Sequence, residues 1–403
     1  MPYSSFQESV QLLRTRRFGT FWFASLLSNI GTWAQQVAQP WLLLSLGASS
    51  FLVGLDAFAM SAPVWFLTLL GGVLADRADR RRVIAGFQSL QMLCPTAIVI
   101  LLAAGRIEPW MIICLSVVVG VTDALSMPSF SSIVPTIVAR EQIAAGLALN
   151  STQFNVSRIA GPALAGAIMA SIGAIGCFAI SAASYVPFIG VALWILPHQV
   201  PAGTTHESPA RHPATGLRGI ARRPDLRGVL LTTFCSGMLC GPMITFAPVL
   251  VRSTFHGTAG QFSLVLAAFG AGGLLGAVGL LAIDARRDRR HISTVSAIAY
   301  GTTVMAAALS PWFWALPALL VLAGLTMSVT NISANAYLQT TASALVRGRA
   351  VSLYMLAMRG GLALGAIGTG WSVSALGIRE ALLLNGGLAV IVQCVIARSS
   401  AHR

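Results

Sequence analysis

Four ionisable side chains stand inside long apolar stretches of the sequence. Asp56 and Asp123 carry carboxyl groups, and Arg158 and Arg359 carry guanidinium groups. A charged residue inside a membrane-spanning segment is costly unless it is paired or faces a watery cavity, so it is a functional candidate by default. A buried carboxyl group beside a movable arginine can bind and release a proton when its access to water changes. The four residues therefore predict proton coupling or ion pairing within a membrane.

Their predicted depths separate the four residues. Asp123 is about fourteen residues from the outer end of its apolar run, and Arg158 is about fourteen from the inner end of the next, so at roughly 1.5 Å per residue both lie near mid-depth. For Asp123, coupling or substrate contact and a fixed structural ion pair both remain open. Asp56 lies about five residues from an outer edge, where simple hydration is an alternative. Arg158 and Arg359 could hold an anionic substrate, or could pair with structural partners.

The composition indicates an integral membrane protein. The 403 residues are 56% hydrophobic and 9% charged, with a mean hydropathy of +0.77. Soluble domains average roughly 45–50% apolar and about 25% charged residues. The formal net charge is +14, and the 26 basic residues are all arginines that lie mainly in short gaps between apolar runs. This placement favours a signal for membrane orientation over nucleic-acid binding.

Apolar runs long enough to cross a bilayer as helices recur along the chain. The predicted fold class is an all-α membrane protein with twelve transmembrane helices, in two six-helix halves related by pseudo-twofold symmetry. The predicted spans are 18–46, 51–75, 82–104, 109–133, 144–171, 175–197, 227–251, 259–283, 292–309, 312–338, 348–372 and 378–397. The predicted domains are an N-terminal half at 1–197, a cytoplasmic linker at 198–226 and a C-terminal half at 227–403.

A charged loop ends an apolar run once in each half. It lies at 72–82 in the first half and at 279–290 in the second, so that Asp76 and Asp284 are 208 positions apart. This repeat predicts a duplication of six spans, which is a standard transporter architecture.

Arginine placement predicts which side of the membrane each loop occupies. With both termini in the cytoplasm, the cytoplasmic segments hold 21 arginines, against three in outer loops and two within spans. This asymmetry agrees with the positive-inside rule. The spacing of His198, His206 and His212 in the linker does not suit a metal site, and no catalytic or nucleotide-binding motif is visible, so neither an enzyme nor a metal is expected.

The first charged loop resembles the signature of the major facilitator superfamily, which lies between the second and third spans. In that signature Gly, Asp and two basic residues recur at the positions of Gly72, Asp76, Arg80 and Arg81, whereas Asp79 replaces the usual second Gly. The resemblance extends over essentially the whole chain and implies a conformational latch; the alternative is that these charges only stop membrane insertion. The expected latch residues are Gly72, Asp76, Arg77, Arg80, Arg81 and Asp284.

Other segments resemble the superfamily branch of exporters that includes the enterobactin exporter and the macrolide efflux proteins, the transmembrane secretion effectors. These segments are 28–33 with Gln35 and Gln36, 71–77, and Asn150, Ser151, Asn155, Arg158, Gly161 and Pro162. The stretch 161–166 is similar to the Gly-Pro motif of antiporters, although Ala165 replaces a Gly and Ser157 stands where an earlier Gly is expected. Its expected functional residues are Gly161, Pro162 and Gly166.

In the superfamily the first, fourth, seventh and tenth helices line a central cavity. The resemblance therefore implies a substrate cavity lined by polar and aromatic residues of the first and tenth spans, with hydrogen bonding between helices as the alternative. These residues are Asn29, Trp33, Gln36, Asn331 and Asn335. In the eighth span, closely spaced glycines indicate tight helix packing. They are Gly270, Gly272, Gly273 and Gly276.

The sequence thus predicts a secondary active transporter that exports a small amphipathic molecule in exchange for protons by alternating access. Its expected partners are a small-molecule substrate, protons and the lipid bilayer, without a cofactor or nucleic acid, and it is expected to act as a monomer. The expected location is the bacterial inner membrane, with both termini cytoplasmic. An uptake symporter of the same fold is the nearest alternative, and a non-transporting membrane scaffold or sensor is an alternative of another class.

Overall fold

The computed structural model describes residues 10–131, 133–196, 224–284, 287–342 and 347–401, which form helices joined by short turns. Most of the predicted linker 198–226 lies outside these residues. Contacts between Cα atoms divide the chain into two compact units, which are 1–46 with 62–205 and 47–61 with 206–403. The predicted division into two halves and a linker stays a prediction.

The helices of the chain up to residue 196 are α1 (Arg16–Ser45), α2 (Ser50–Ser61), α3 (Pro63–Arg77), α4 (Arg80–Ala103), α5 (Pro109–Ser131), α6 (Val134–Ile137), α7 (Ile143–Ser171) and α8 (Ala174–Trp194). Helix α2 belongs to the second unit and the others belong to the first. Within the first unit, α1 packs against both α7 and α8, and α4 packs against α5 and α8. A cluster of buried aromatic and aliphatic residues, including Phe18, Phe21 and Phe188, joins α1, α4 and α8.

The helices after residue 223 are α9 (Pro224–Cys235), α10 (Pro242–Val249), α11 (Ala259–Gly279), α12 (Arg289–Leu309), α13 (Ala315–Thr341), α14 (Arg347–Leu376) and α15 (Ile378–Ala401). Two π-helical segments, Ser236–Cys240 and Leu250–Thr254, flank α10, so the predicted seventh span is a nearly continuous but irregular helix. Helix α13 packs against α11 and α12, and α14 packs against α2.

A proline begins a new helical segment within the predicted second span. Proline lacks a backbone N–H and clashes with the preceding turn, but it suits the first position of a helix. Within the span predicted at 51–75, α3 accordingly begins with Pro63, while Ala62 between α2 and α3 keeps helical backbone angles and Ser50–Leu67 counts as one candidate span. Other prolines lie within helices of the first unit, where the rest of the bundle can satisfy the freed backbone groups. They are Pro40, Pro95, Pro128, Pro162 and Pro187.

Among the described residues, ten helical stretches are long and apolar enough to cross a membrane. Helices α1 and α7 are not among the ten, although they contain 30 and 29 residues. At 1.5 Å per residue each is roughly 45 Å long, which exceeds the roughly 30 Å hydrocarbon core of a bilayer. Their hydropathy is low because they carry many polar side chains, which include the predicted functional residues Asn29, Gln36 and Arg158. The count of twelve spans and the pseudo-twofold symmetry stay predictions.

Glycines bring α11 and α13 into close contact, as the glycine-rich eighth span predicted. A Cβ atom at Gly324 of α13 would overlap the carbonyl oxygen of Phe269 on α11, and one at Gly272 would overlap that of Val321. Gly276 approaches Leu325 in the same way. Small residues at such a contact allow two helix backbones to approach closely in a membrane.

We expect Gly324→Ala to lower the apparent melting temperature of the detergent-purified protein. The added methyl group would force α11 and α13 apart, and overpacking of this kind costs about 1–3 kcal/mol. The matched control is Gly387→Ala on α15, where an added Cβ meets no atom within 4 Å. The control gains helix propensity and should be unchanged or slightly more stable. Equal melting temperatures for the two variants would contradict the described contact.

Candidate functional site

Asp123 is the end of a chain of polar side chains in the first unit. Its Oδ1 atom accepts a hydrogen bond of 2.6 Å from Nε2 of Gln91, and Oε1 of Gln91 accepts one of 2.8 Å from Nε2 of Gln88. Both glutamines are on α4, where Gln88 is 6% exposed and Gln91 is 3% exposed. Asp123 is on α5 and is half-buried. The carboxyl group predicted to couple to protons is therefore held by a buried amide.

The network around Asp123 reaches two further helices. Asp123 interacts electrostatically with Tyr185 of α8, which is 5% exposed. The hydroxyl oxygen of Tyr185 lies 3.4 Å from Oγ1 of Thr32 on α1. Asp123 thus acts electrostatically on α8, and Tyr185 of α8 in turn contacts α1.

Amide side chains of α1 bind its neighbours in the first unit. Oε1 of Gln35 accepts a hydrogen bond of 2.8 Å from Ser181 on α8. Nε2 of Gln39 donates one of 2.8 Å to Ser116 on α5, and Gln35 donates to Gln39 over 3.3 Å. Helix α1 is thereby tied to both α5 and α8 by side-chain hydrogen bonds inside the bundle.

The predicted cavity residues of α1 have different surroundings. Nδ2 of Asn29 donates to Oε1 of Gln153 on α7 over 3.2 Å, which is the alternative role of a bond between helices. Trp33 meets the ring of Phe154 edge-on, with ring centroids 6.0 Å apart, and the guanidinium carbon of Arg158 lies 6.0 Å from the Trp33 ring. Gln36 is half-buried on α1. Trp33, Phe154 and Arg158 therefore form a cation–aromatic group.

The antiporter-like motif lies where α7 crosses α1. A Cβ atom at Gly161 would overlap the Cβ atom of Trp33 and would lie 3.0 Å from the carbonyl oxygen of Ile30. Pro162 is buried next to it, and Gly166 lies further along the same helix, half-buried. Gly161 thus allows α7 to approach the backbone of α1 at Trp33, which positions the indole ring beside Arg158.

The charged loops begin α4 and α12 in the same way. Oδ1 of Asp79 accepts a hydrogen bond of 3.2 Å from the backbone N–H of Arg81, and Oδ1 of Asp288 accepts one of 2.9 Å from that of Arg290. An acidic side chain at this position accepts a hydrogen bond from a free N–H of the first helical turn. Its negative charge also interacts favourably with the positive end of the helix dipole. Asp79, the departure from the superfamily signature, is therefore a helix cap in this chain.

Arg81 also joins two helices of the first unit. Its Nε atom lies 3.0 Å from Oδ2 of Asp79, and a terminal nitrogen donates to the carbonyl oxygen of Leu193 in the last turn of α8 over 3.3 Å. The neighbouring Arg80 is half-buried.

The rest of the expected latch is only partly described. Gly72, Asp76 and Arg77 lie in the second half of α3, but their side chains fall outside the described part of the chain. Asp284 is exposed in the loop before α12, where its carbonyl oxygen accepts a hydrogen bond of 3.1 Å from the backbone of Arg287. The latch stays a prediction.

The predicted residues of the second unit are spread over three helices. Asp56 on α2 is 6% exposed, and Arg359 on α14 is half-buried. The carbonyl oxygen of Asn331 accepts a hydrogen bond of 2.9 Å from the hydroxyl of Tyr354, and Oδ1 of Asn335 accepts one of 3.0 Å from Gln339. Because Asp56 is buried, its side chain is not openly hydrated in this structure.

Sequence reasoning missed a fully buried glutamine in the second unit. Gln393 on α15 donates to the carbonyl oxygen of Thr232 over 3.2 Å and to Ser236 over 3.3 Å. Ser236 begins a π-helical segment, which changes the hydrogen-bond register of the helix. The available signal was an uncharged amide within the apolar last span, which also contains Asn385. Gln88, Gln91 and Gln153 were missed because they too are uncharged side chains within predicted spans.

A family model described as transmembrane secretion effector matches residues 8–402, almost the entire chain. The chain belongs to this family. The resemblance to that branch of the major facilitator superfamily is thus confirmed. The family is one of transporters, so the protein is a multi-pass membrane transporter.

Named relatives agree with this assignment. The multidrug efflux pump Tap of Mycolicibacterium fortuitum is 28% identical over 350 residues, which cover 82% of this chain and 83% of that protein. The staphyloferrin A transporter of Staphylococcus aureus is 23% identical over 260 residues, with 63% of this chain and 64% of that protein covered.

Solved structures show the same fold at low sequence identity. The nucleoside transporter NupG has a TM-score of 0.78 and 13% identity, with 95% of this chain and 99% of that chain covered. A bacterial homologue of the human lysosomal transporter Spinster, in an inward-facing and unoccupied conformation, has a TM-score of 0.73 and 15% identity, covering 95% and 96%.

We expect a strong energetic coupling between Gln91 and Asp123. Gln91→Leu removes the amide that stabilises the ionised carboxylate, and a hydrogen bond to a charged group contributes about 1.5–3 kcal/mol. Unfolding in a detergent and denaturant series should show that Asp123→Asn removes much of the penalty of Gln91→Leu. The control pair combines Gln91→Leu with Glu108→Gln, which changes an exposed carboxylate of the same unit. The changes in the free energy of unfolding of these two substitutions should be additive. Additivity in both pairs would contradict the Gln91–Asp123 interaction.

Proposed function

We propose that this transporter exports a small amphipathic molecule in exchange for protons, by alternating access. The observation that carries the proposal is the half-buried Asp123 carboxylate, which Gln91 binds at 2.6 Å inside a membrane-spanning unit. The family is described as transmembrane secretion effector, and the relative Tap is named a multidrug efflux pump. We further propose that it acts as a monomer in the bacterial inner membrane with both termini in the cytoplasm.

The proposed proton step uses the chemistry of Asp123. An amide N–H stabilises an ionised carboxylate, so protonation of Asp123 weakens its bond to Gln91. Loss of the negative charge also changes the electrostatic interaction with Tyr185, which contacts Thr32 on α1. Proton binding would therefore alter how α4, α8 and α1 pack within the first unit. Arg158 is the proposed counter-charge, and Asp56 and Arg359 are the candidates for a similar role in the second unit.

The proposed substrate surface of the first unit combines apolar and polar groups. Trp33 and Phe154 supply aromatic rings, Phe154 being 47% exposed, and Arg158 supplies a positive charge. Gln36 adds an amide on the same helix as Trp33. Rings with a few polar groups suit an amphipathic ligand. In the second unit, Asn331 and Asn335 are the proposed contacts.

The charged loops are the proposed conformational latch. Gly72, Asp76, Arg77, Arg80, Arg81 and Asp284 are its proposed residues. The caps formed by Asp79 and Asp288 support this proposal, because they hold the backbone of each loop at the start of a helix.

The proton-exchange proposal can be tested with purified protein in liposomes and fluorescent amphipathic dyes of positive, neutral and negative charge. For antiport, a dye should move opposite to an imposed proton gradient. Asp123→Asn should lower this gradient-driven accumulation at least tenfold, because its side chain cannot ionise, while dye exchange without a gradient persists. Glu108→Gln, which removes an exposed carboxylate of the same unit, is the control and should transport normally.

Other outcomes identify the alternatives. Dye movement in the same direction as protons would indicate an uptake symporter. A well-folded protein that moves none of the dyes, with or without Asp76→Asn or Asp123→Asn, would favour a scaffold or sensor. Normal gradient-driven transport by Asp123→Asn would remove Asp123 from the coupling mechanism.

We expect Trp33→Ala to weaken apparent substrate affinity. An aromatic contact contributes about 0.5–1.5 kcal/mol, so the half-saturation concentration for a transported dye should rise roughly twofold to twelvefold. Trp33→Phe should restore most of the affinity. Trp371→Ala on α14 is the control, because Trp371 is 68% exposed. If Trp33→Ala changed only the maximal rate, Trp33 would not be a substrate contact.

A further inference from the structure

A groove of about 500 Å³ lies between the beginning of α1 and the end of α8, in the first unit. Its charged end is formed by Arg14 and Arg16, at the point where α1 begins. The apolar part of the groove is formed by side chains of α1 and α8. These are Phe23, Ala24, Leu27, Pro187 and Val191.

The two arginines are available to a ligand. Both side chains are exposed, and among the described residues neither forms an ion pair with an acidic side chain. Arg81 reaches the same level, because it binds the carbonyl oxygen of Leu193 at the end of α8. Positive charge therefore collects at this end of the first unit.

The apolar part of the groove is exposed to the surroundings of the bundle. Phe23 and Leu27 are 56% and 46% exposed, and they are four residues apart, so they lie on one face of α1. Leu27 is eleven residues beyond Arg16, about 16 Å along the helix at 1.5 Å per residue. Gly19 and Thr20 are the small residues between the arginines and this apolar face.

Trp194 indicates the depth of the charged end. It ends α8 and is 84% exposed, and exposed tryptophans of membrane proteins concentrate at the level of lipid head groups. The arginines thus lie where phosphate groups of the bilayer are found, and the apolar face extends toward the acyl chains. Basic pockets between transmembrane helices are suited to acidic lipid head groups.

We propose that this groove binds one anionic phospholipid. Arg14 and Arg16 bind the phosphate and the charged head group, and one acyl chain lies along Phe23, Leu27 and Val191. A free phosphate ion would use the arginines but leave the apolar face uncovered. A zwitterionic lipid would use the apolar face but gain less from two guanidinium groups.

The test uses the full-length protein, purified in detergent, depleted of lipid and titrated with phosphatidylglycerol or phosphatidylcholine. Native mass spectrometry should show one phosphatidylglycerol bound at least tenfold more tightly than phosphatidylcholine, and phosphatidylglycerol should raise the melting temperature. The double variant Arg14→Gln with Arg16→Gln should lose this preference. Arg106→Gln, an exposed arginine after α4, is the control and should retain it.

A second variant tests the apolar part. Thr20→Trp should fill the groove while both arginines remain, and should weaken phosphatidylglycerol binding at least tenfold. A monodisperse, helical protein is required of each variant, which circular dichroism and size-exclusion chromatography check. Equal binding of the two lipids by the native protein, or unchanged preference in the double variant, would overturn the proposal. Stabilisation by inorganic phosphate equal to that by phosphatidylglycerol would show an anion site without a lipid.

Discussion

The hydrogen bond between Gln91 and Asp123 is the interaction on which the first unit depends. Inside a bundle that spans a bilayer, a carboxylate must find its partners within the protein, because lipid offers none. Gln91 meets this requirement for Asp123, and Gln88 in turn orients Gln91. Because Gln88 donates to Oε1 of Gln91, the amide nitrogen of Gln91 is left to donate to Asp123, and this bond joins α4 to α5. The packing of those two helices and the state of one titratable group are therefore linked.

Helix α1 shows how the same constraint shapes a whole element. It is more polar than the ten stretches that are apolar enough to cross a membrane, yet it can lie in the bundle because protein covers it on two sides. A Cβ atom at Gly31 would overlap Ser184 of α8, and one at Gly161 of α7 would overlap Trp33. These two close contacts bring both neighbours within reach of the amides of α1, which explains why Asn29 and Gln35 find partners on different helices. The glycine contacts thus bring the helices close enough for the polar side chains of α1 to form hydrogen bonds.

The helices were largely predictable, whereas the partners within the site were not. The predicted spans 109–133 and 259–283 became helices Pro109–Ser131 and Ala259–Gly279, because apolar length and loop charge determine such segments locally. Within the predicted span 51–75, Pro63 begins a second helical segment, although Ala62 before it keeps helical backbone angles. Asp123 was identified as a candidate from its charge within an apolar run and from its predicted depth. Its partner Gln91 was not, because which residues meet depends on the rotation and register of two helices, which neither helix encodes by itself.

Buried glutamine side chains bind different kinds of acceptor in the two units. In the first, Gln91 binds a carboxylate, whose charge can change when a proton arrives. In the second, Gln393 binds the backbone carbonyl of Thr232, which has no charge to lose. The contact of Gln393 therefore supports the geometry of the π-helical segment at any pH, whereas that of Gln91 responds to protonation. Of these two contacts, that of Gln91 responds to a proton and that of Gln393 does not, which is the physical reason for proposing Asp123, and not the π-helical segment, for proton coupling.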